Sequence, residues 1–355
     1  MRIEVAGLLL IALAASSAAQ RHQENLLFDL NAYDPIPSPD GRLIAYVLTG
    51  RKLWGGSGGL GRSNLQSDVK FCDPSGQTLQ NPYAEGFLGE WLTDSSEIVS
   101  FRDWKFELLD PGGSRESGSM LPTLTAPDWP NFSERVAFLS KLRKFIWIEN
   151  TDSGAVLQSA TGPVAEFSKL RLPDELIVPS PDERFLAIAG SGRGDLRVYD
   201  MVKHRLVDLG SITIHPDSNW DWSKPSWNPW FPDGAHLAFF SGPVLVVASP
   251  DGTQRHELLR VENGGLAIPS PDGSSIAYAA FSPRPGTHRH DLKFWEGSVL
   301  WVVSTKGGAP VQITQPSKDE TYDLRWLTQD SLIFDRITEG MFNEHARIWT
   351  VQVGN

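Results

Sequence analysis

The sequence predicts an all-β protein, a β-propeller of four-stranded antiparallel blades, on three observations. A segment with a short polar turn recurs along the chain, its strands are apolar on both faces, and no long helical period interrupts them. The copies average roughly 45 residues, the size of one propeller blade. Seven blades are favoured, and six result if the third copy is a loop.

The repeats share a turn followed by a β-branched and aromatic run, which predicts a strand. The clearest copies, with Pro-Ser-Pro-Asp, lie at 37–47, 179–190 and 269–281. Looser copies, each with a Trp before the turn or at its start, lie at 91–101, 129–140, 230–241 and 326–335. A second apolar run follows each copy. With the strand before the turn and a short last segment, each copy predicts four strands.

The predicted strands require cover on both faces. Runs such as LIAYV (43–47) and VLVVAS (244–249) do not alternate between apolar and polar residues, so both of their faces must be buried. Radially packed blades bury both faces because each sheet lies between two neighbours. The last copy is one strand short, and NLLFDLN at 25–31 supplies a candidate strand. Closure of the ring by this N-terminal strand would remove an open sheet edge.

The amino terminus has the pattern of a secretory signal peptide. Arg2 precedes an apolar run at 6–15, and small residues at 17–19 precede Gln20. The run is too short to span a membrane; the alternative is a buried strand of the folded protein. We therefore expect residues 1–19 to be removed, and 20–355 to form a single propeller domain that is periplasmic or secreted.

The cysteine content indicates how the fold is stabilised, and the net charge restricts the classes of partner. The single cysteine, Cys72, cannot form an intrachain disulfide, so an exported chain of this length needs a large apolar core. The formal net charge of -11 argues against nucleic acid or anionic lipid as the main partner.

A glycine-rich segment at 53–64, LWGGSGGLGRSN, matches both G-x-S-x-G and G-x-G-x-x-G. The first pattern marks a hydrolase nucleophile and the second a dinucleotide site, but both require a strand followed by a helix. Here the next residues, RSNLQSDVKF, lead into another strand. The segment is therefore interpreted as a long hairpin loop.

The repeats resemble those of the TolB-like propeller family, whose hallmark is a tryptophan or proline before Ser-Pro-Asp-Gly, followed by an Ile-Ala-aromatic strand. Residues 38–41 with 44–46, and 270–273 with 276–278, carry this hallmark. The resemblance covers nearly all of the chain after the predicted leader. It implies a propeller fold and a place in the periplasm or cell envelope, and it extends to the propeller domains of prolyl oligopeptidases and dipeptidyl peptidases.

Topology predicts that the long connections share one face of the propeller. They are the segments 50–66, 211–228, 282–297 and 338–346. Loops on a rigid scaffold often carry function, and Trp is favoured at contact surfaces. Alternatively, the tryptophans pack on their own loops or close the channel. The candidate binding residues are Trp54, Trp220, Trp222 and Trp295.

Four histidines are predicted on the same face: His215, His288, His290 and His345. His288 and His290 are two residues apart, so in an extended loop both rings point the same way. With nearby carboxylates, His288, His290 and His345 are candidate ligands of a divalent metal; solvated loop histidines are the alternative. The His-x-His pair is similar to that of oligogalacturonate lyase, a propeller enzyme with a histidine-bound metal.

The sequence therefore predicts a non-catalytic exported propeller that binds a protein or peptide of the cell envelope through its long-loop face, without a cofactor. No residue is assigned a catalytic role. The alternative is a metal-dependent polysaccharide lyase or hydrolase at His288 and His290. A third hypothesis is relation to the peptidases named above, whose propeller gates a separate hydrolase domain; we expect no such domain within this sequence.

Overall fold

In the computed structural model, the regular elements of the described residues are all β-strands. A membrane-spanning helix is absent from this part of the chain. The structure describes residues 22–29, 31–49, 67–79, 87–102, 105–112, 115–116, 136–159, 161–170, 176–190, 193–215, 227–283, 295–319, 321, 323–339 and 344–354.

The strands of the N-terminal part are β1 (Glu24–Phe28), β2 (Ala32–Pro37), β3 (Ile44–Thr49), β4 (Ser67–Cys72), β5 (Phe87–Trp91), β6 (Ile98–Arg102), β7 (Lys105–Leu109), β8 (Arg115–Glu116), β9 (Val136–Leu139), β10 (Lys144–Thr151), β11 (Gly154–Ser159) and β12 (Gly162–Ser168).

Those of the C-terminal part are β13 (Leu176–Pro179), β14 (Phe185–Ala189), β15 (Arg193–Asp200), β16 (Arg205–Thr213), β17 (Leu237–Ser241), β18 (Val244–Ala248), β19 (Arg255–Arg260), β20 (Gly264–Pro269), β21 (Ser275–Pro283), β22 (Trp295–Ser304), β23 (Val311–Gln312), β24 (Leu324–Thr328), β25 (Ser331–Glu339) and β26 (Glu344–Gln352).

Strands that follow one another along the chain pair antiparallel within each sheet. The sheets are β2–β4, β5–β8, β9–β12, β13–β19 and β20–β23. In the seven-stranded sheet, β16 and β17 share only the pair Thr213 and Phe240, so this sheet divides into β13–β16 and β17–β19. The last sheet has the order β1-β26-β25-β24. An N-terminal strand thus lies next to β26, and it spans Glu24–Phe28, whereas the sequence predicts it at 25–31.

In the first, fourth and sixth units, the turn between the first and second strands is closed by a serine and an aspartate. Ser38 Oγ donates to Asp40 Oδ1 (2.7 Å) and accepts from Leu43 N (3.0 Å), and Gly41 has φ +69°. The aspartate side chain stabilises the turn by hydrogen bonding, and the glycine adopts the positive φ that the turn requires. The motif therefore has a structural role. The serine–aspartate bond recurs in the corresponding turns at Ser180–Asp182 and Ser270–Asp272, and in the turn between β18 and β19 at Ser249–Asp251.

Among the described residues, three tryptophans join neighbouring sheets. Each stands directly before the turn of its own unit, where the first, fourth and sixth units carry Pro37, Pro179 and Pro269. Each indole N–H donates to the carbonyl of the residue directly before the proline of the preceding unit. The bonds are Trp91 Nε1 to Ile36 O (2.8 Å), Trp230 Nε1 to Val178 O (2.9 Å) and Trp326 Nε1 to Ile268 O (3.0 Å).

The third unit begins later than the sequence suggested. The sequence at 129–140 predicts a turn that leads into a second strand. In the structure β9 is the first strand of its sheet, because the turn that follows has the geometry of the Ser-Pro-Asp-Gly turns: Arg143 N donates to Ser140 O (3.4 Å), and Arg143 has φ +46°. Residues 117–135, outside the described part, therefore connect β8 to β9.

Apolar side chains fill the spaces on both sides of the sheets, as the continuous apolar runs predicted. On one face of β21, Tyr278 is buried against Phe240 of the preceding sheet, with ring centroids 5.8 Å apart. On its other face, Ala279 belongs to a cluster with Leu300 and with Phe334 of the last sheet. Alternate residues of one strand thus serve two different interfaces.

Candidate functional site

The connections between strands lie at two opposite ends of the sheets. One end holds the tight turns between the first and second strands and between the third and fourth strands. We call the opposite end the long-connection face. The longest segments that leave the strands there are 50–66 after β3, 117–135 after β8, 216–226 after β16 and 284–294 after β21, all outside the described residues.

Most residues predicted to form a binding or metal site lie in these segments. Trp54, Trp220, Trp222, His288 and His290 are all outside the described part of the chain. Their mutual geometry therefore stays a prediction.

Trp295 and His345 were predicted in loops, and the structure places the backbone of both in strands. Trp295 begins β22 opposite Pro283, and His345 lies in β26 opposite Thr338. Strands β25 and β26 pair as far as Glu339 and Glu344, which leaves only 340–343 between them. Continued pairing satisfies the backbone groups that a loop would leave to water. The predicted long connections 338–346, 282–297 and 211–228 are therefore too long, because β21 runs to Pro283, β22 begins at Trp295 and β16 runs to Thr213. The side chains of Trp295 and His345 are outside the described part.

His215 lies within the protein rather than in solvent. Its side chain is buried, and its ring packs edge-on against Phe281 with centroids 4.5 Å apart. The preceding residue, Ile214, accepts a hydrogen bond from Leu266 N (2.8 Å). His215 therefore packs the connection that leaves β16 against β21.

Three aspartates lie close together where the first and last sheets meet. Asp34 lies in β2, Asp323 directly precedes β24, and Asp335 lies in β25. One carboxylate oxygen from each lies within 4.8 Å of the other two. Asp323 N donates to Asp335 Oδ1 (2.8 Å), and Asp335 N donates to Asp323 O (3.2 Å). Because Asp323 lies where the chain enters β24, this acidic cluster is near the long-connection face.

Asp34 occupies a bulge in β2, where the register to β3 shifts between Tyr33 and Ile36. Its φ of +53° is uncommon for a residue other than glycine, although aspartate adopts it more readily than most. The corresponding position of β20, also four residues before the serine of the turn, is Leu266 with φ +52°. The bulge therefore accepts either side chain, and the carboxylate is not required by the backbone.

The acidic cluster favours the protonated form of Asp34. Burial raises the pKa of Asp34 well above its usual value, and the charge and hydrogen bond of Asp323 and the charge of Asp335 raise it further. The charge of Arg325 acts in the opposite direction. However, Arg325 donates from Nη1 and Nη2 to the two carboxylate oxygens of Glu90 (3.1 and 3.0 Å), so its charge is shared with a fourth carboxylate.

Carboxylates this close share a proton or bind a cation. Their oxygen atoms are the donors that Ca²⁺ and Mg²⁺ prefer, and within the described ranges this is the one group of three or more side chains that could hold a metal ion. The sequence does not predict this cluster, because the aspartates are brought together only where the first and last sheets meet. The only local signal is a polar residue at the position where β20 has Leu266.

Comparison with known proteins identifies the fold. No protein-family model matches the sequence, and no curated protein matches it. An oligogalacturonate lyase from Vibrio parahaemolyticus has a similar structure, with a TM-score of 0.59 and 12% identity over 95% of this chain and 95% of that chain.

Two archaeal peptidase structures are also similar. The β-propeller domain of the Trilobed protease from Pyrococcus furiosus gives a TM-score of 0.51 and 12% identity over 92% of this chain and 97% of that one. The acylaminoacyl peptidase of Pyrococcus horikoshii gives 0.53 and 11% over 92% of this chain and 52% of that one. Likeness at such low identity concerns the fold alone: the chain is an all-β antiparallel protein with the fold of β-propeller proteins.

Proposed function

We propose that this chain is an exported, non-catalytic β-propeller of the TolB-like kind, which binds a protein or peptide through its long-connection face. The ring that we propose has seven blades, and β1 completes the last of them. No cofactor is part of this proposal.

Seven groups of strands support the blade count. They are β2–β4, β5–β8, β9–β12, β13–β16, β17–β19, β20–β23 and β24–β26 with β1. Two observations support closure of the ring. Strand β1 pairs with β26, and Asp34 of the first sheet contacts Asp323 and Asp335 of the last.

The binding proposal is carried by the difference between the two ends of the sheets. At the tight-turn end, neighbouring turns bond to one another: Asp40 N donates to Ser95 Oγ (3.1 Å), and Lys141 N donates to Glu183 Oε1 (2.7 Å). The long segments leave the strands at the opposite end. The candidate residues Trp54, Trp220 and Trp222 belong to these segments in the sequence, and Trp295 begins β22 directly after one of them. Variable loops on a rigid scaffold are where binding residues concentrate.

Export rests on the leader-like pattern of residues 1–19. The expected outcome is that protein from the periplasm or culture medium begins at Gln20, as determined by N-terminal sequencing. Accumulation in the cytoplasm with residues 1–19 retained would contradict it.

The binding face is tested by recovery of partners from an envelope extract. The test variant replaces 284–294 with a short Gly-Ser linker, and a second carries Trp220→Ala and Trp222→Ala. The control, Val202→Ser, lies at the tight-turn end, where Val202 is 69% exposed. Removal of central aromatic contacts typically weakens binding about 30-fold or more, so the test variants are expected to lose the partner and the control to keep it. Equal recovery from all folded variants would contradict the proposal.

The second candidate is a metal-dependent polysaccharide lyase or hydrolase that uses His288 and His290, with His345. It is favoured by the similarity to an oligogalacturonate lyase over 95% of both chains. Its test is metal analysis of the purified protein together with lyase and hydrolase assays on oligogalacturonate. Bound metal and activity that are both lost in His288→Ala/His290→Ala would support it. Activity unchanged in that variant, or substoichiometric metal, would exclude it.

A further inference from the structure

The N-terminal strand β1 is held at its two ends by different interactions. At its C-terminal end, the ring of Phe28 stacks on Tyr46 of the first sheet with centroids 4.5 Å apart. At its N-terminal end, Glu24 accepts a hydrogen bond from Gln315 N (3.0 Å) and forms an ion pair with Arg336 Nη1. Leu27 packs with Phe28 against the cluster that contains Tyr46 and Ile348, whereas Leu26 is 44% exposed, so the apolar anchoring of β1 is concentrated at its C-terminal end.

Arg336 makes the Glu24 contact unusually important. It is only 5% exposed, and its guanidinium lies 4.9 Å from the ring centre of Phe334 and 5.5 Å from that of Trp349. Its Nε and Nη2 are buried without a hydrogen-bond partner in the part of the chain that the structure describes. Glu24 is therefore the one acceptor that this guanidinium has within that part.

A buried cation that loses its only acceptor is strongly destabilised. Undocking of β1 removes this acceptor from Arg336, which lies on the face of β25 where Phe334 packs against the preceding sheet. Docking of the N-terminal strand and packing of the last sheet are therefore coupled through one ion pair.

We propose that β1 is a detachable strap whose latch is the contact between Glu24 and Arg336. The strap opens from its Glu24 end and pivots at Phe28, because the stacked ring of Phe28 does not depend on the ion pair. Opening uncovers the outer backbone edge of β26 at Trp349–Val351, the residues paired with Glu24–Leu26. An uncovered strand edge accepts another extended strand. The strap lies at the sheet periphery, apart from the proposed binding face.

Hydrogen–deuterium exchange of the full chain tests the strap. In Glu24→Gln the side chain keeps its shape but loses its charge. Exchange in 24–28 and 349–352 is expected to accelerate about 100-fold, the size of effect that follows loss of a buried charge's partner. Exchange in 264–283 is expected to stay within about twofold of wild type, because the strap opens without unfolding of the other sheets.

Asp29→Asn is the matched control. Asp29 also pairs with an arginine of the last sheet, Arg347 (2.6 Å), but its side chain is 64% exposed, so its loss is expected to change exchange less than about threefold. The proposal is overturned if Glu24→Gln behaves like Asp29→Asn, or if it accelerates exchange in 264–283 as much as in β1.

Arg336→Met removes the buried cation and isolates the latch. In that background Glu24→Gln is expected to accelerate exchange in 24–28 by less than about threefold, because no unpaired guanidinium results. A 100-fold acceleration in both backgrounds would show that Glu24 acts without Arg336 and would overturn the latch.

Discussion

Two contacts between neighbouring sheets, which we call junctions, share the same backbone conformation at one bulge residue but differ in the chemistry of its side chain. In β20, Leu266 at φ +52° is fully buried in an apolar cluster. In β2, Asp34 at φ +53° occupies the same position and faces Asp323 and Asp335. The repeat therefore determines the backbone conformation of the first strand of each sheet. The side chain in its bulge determines whether the contact with the neighbouring sheet is apolar or acidic.

The two junctions should respond differently to solution conditions. Burial of Leu266 stabilises the fold at any pH, because no group in the contact titrates. The acidic cluster contributes according to how many of its carboxylates carry a proton or contact a cation. Of the two junctions, the one between the first and last sheets is therefore the one whose stability depends on pH and on cations in the solution.

The largest expected effect comes from placing an acid at the apolar junction. Leu266→Asp should lower the free energy of unfolding by at least about 4 kcal/mol, since it removes a fully buried side chain and introduces a carboxylate without a partner. The reverse change, Asp34→Leu, should be neutral or stabilising. Urea denaturation followed by tryptophan fluorescence measures both. Equal destabilisation by the two variants would show that the junctions are equivalent.

A smaller effect is expected from the indole bonds that join sheets. Trp326→Phe removes the bond to Ile268 O (3.0 Å) and leaves a buried carbonyl without that donor. Trp349→Phe is the matched control, because Trp349 Nε1 is buried without a hydrogen-bond partner within the described ranges. Trp326→Phe should cost about 1.5 kcal/mol more than the control, as measured by thermal denaturation. Equal costs would mean that the indole bond contributes nothing to the junction.

Much of the fold could be predicted because its signals are local. The turn residues Ser38 and Asp40 are two residues apart and hydrogen-bond to one another, so this turn can be recognised in the sequence. The tryptophan before three of the turns has a physical reason that the sequence did not reveal. Trp91 donates to the residue before Pro37, whereas a proline has no such donor.

The features that the sequence did not predict depend on long-range contacts or on irregular copies. The turn Ser140–Arg143 lacks both proline and aspartate, so the sequence does not mark it as a turn. The sequence-based prediction therefore placed the turn of the third unit after Trp129. Asp34 and Asp335 come from opposite ends of the chain, and nothing local pairs them. The candidate site at His288 and His290 could be predicted only as residue types on a loop, because spacing alone does not determine how a loop folds.

A third prediction concerns the pH dependence of the acidic cluster. The pKa of Asp34 is raised in the folded protein, so the folded state binds this proton more tightly than the unfolded state. Stability should therefore fall as pH rises from about 4 through the raised pKa, by at most about 1.4 kcal/mol per pH unit. Asp34→Asn should remove this loss, so the variant should become more stable relative to wild type as the pH rises from 4 to 8. Parallel curves from pH 4 to 8 would contradict it.

The smallest expected effect lies at the outer margin of the same junction. Glu90 accepts both bonds from Arg325, but its side chain is 62% exposed, so Glu90→Gln should lower stability by only about 0.5 kcal/mol, and by less in 1 M salt. Arg325 would still have Asp34 and Asp323 beside it. A loss of about 3 kcal/mol that persists at high salt would instead show that Arg325 depends on Glu90 as Arg336 depends on Glu24. The acidic cluster would then be unable to hold the arginine by itself.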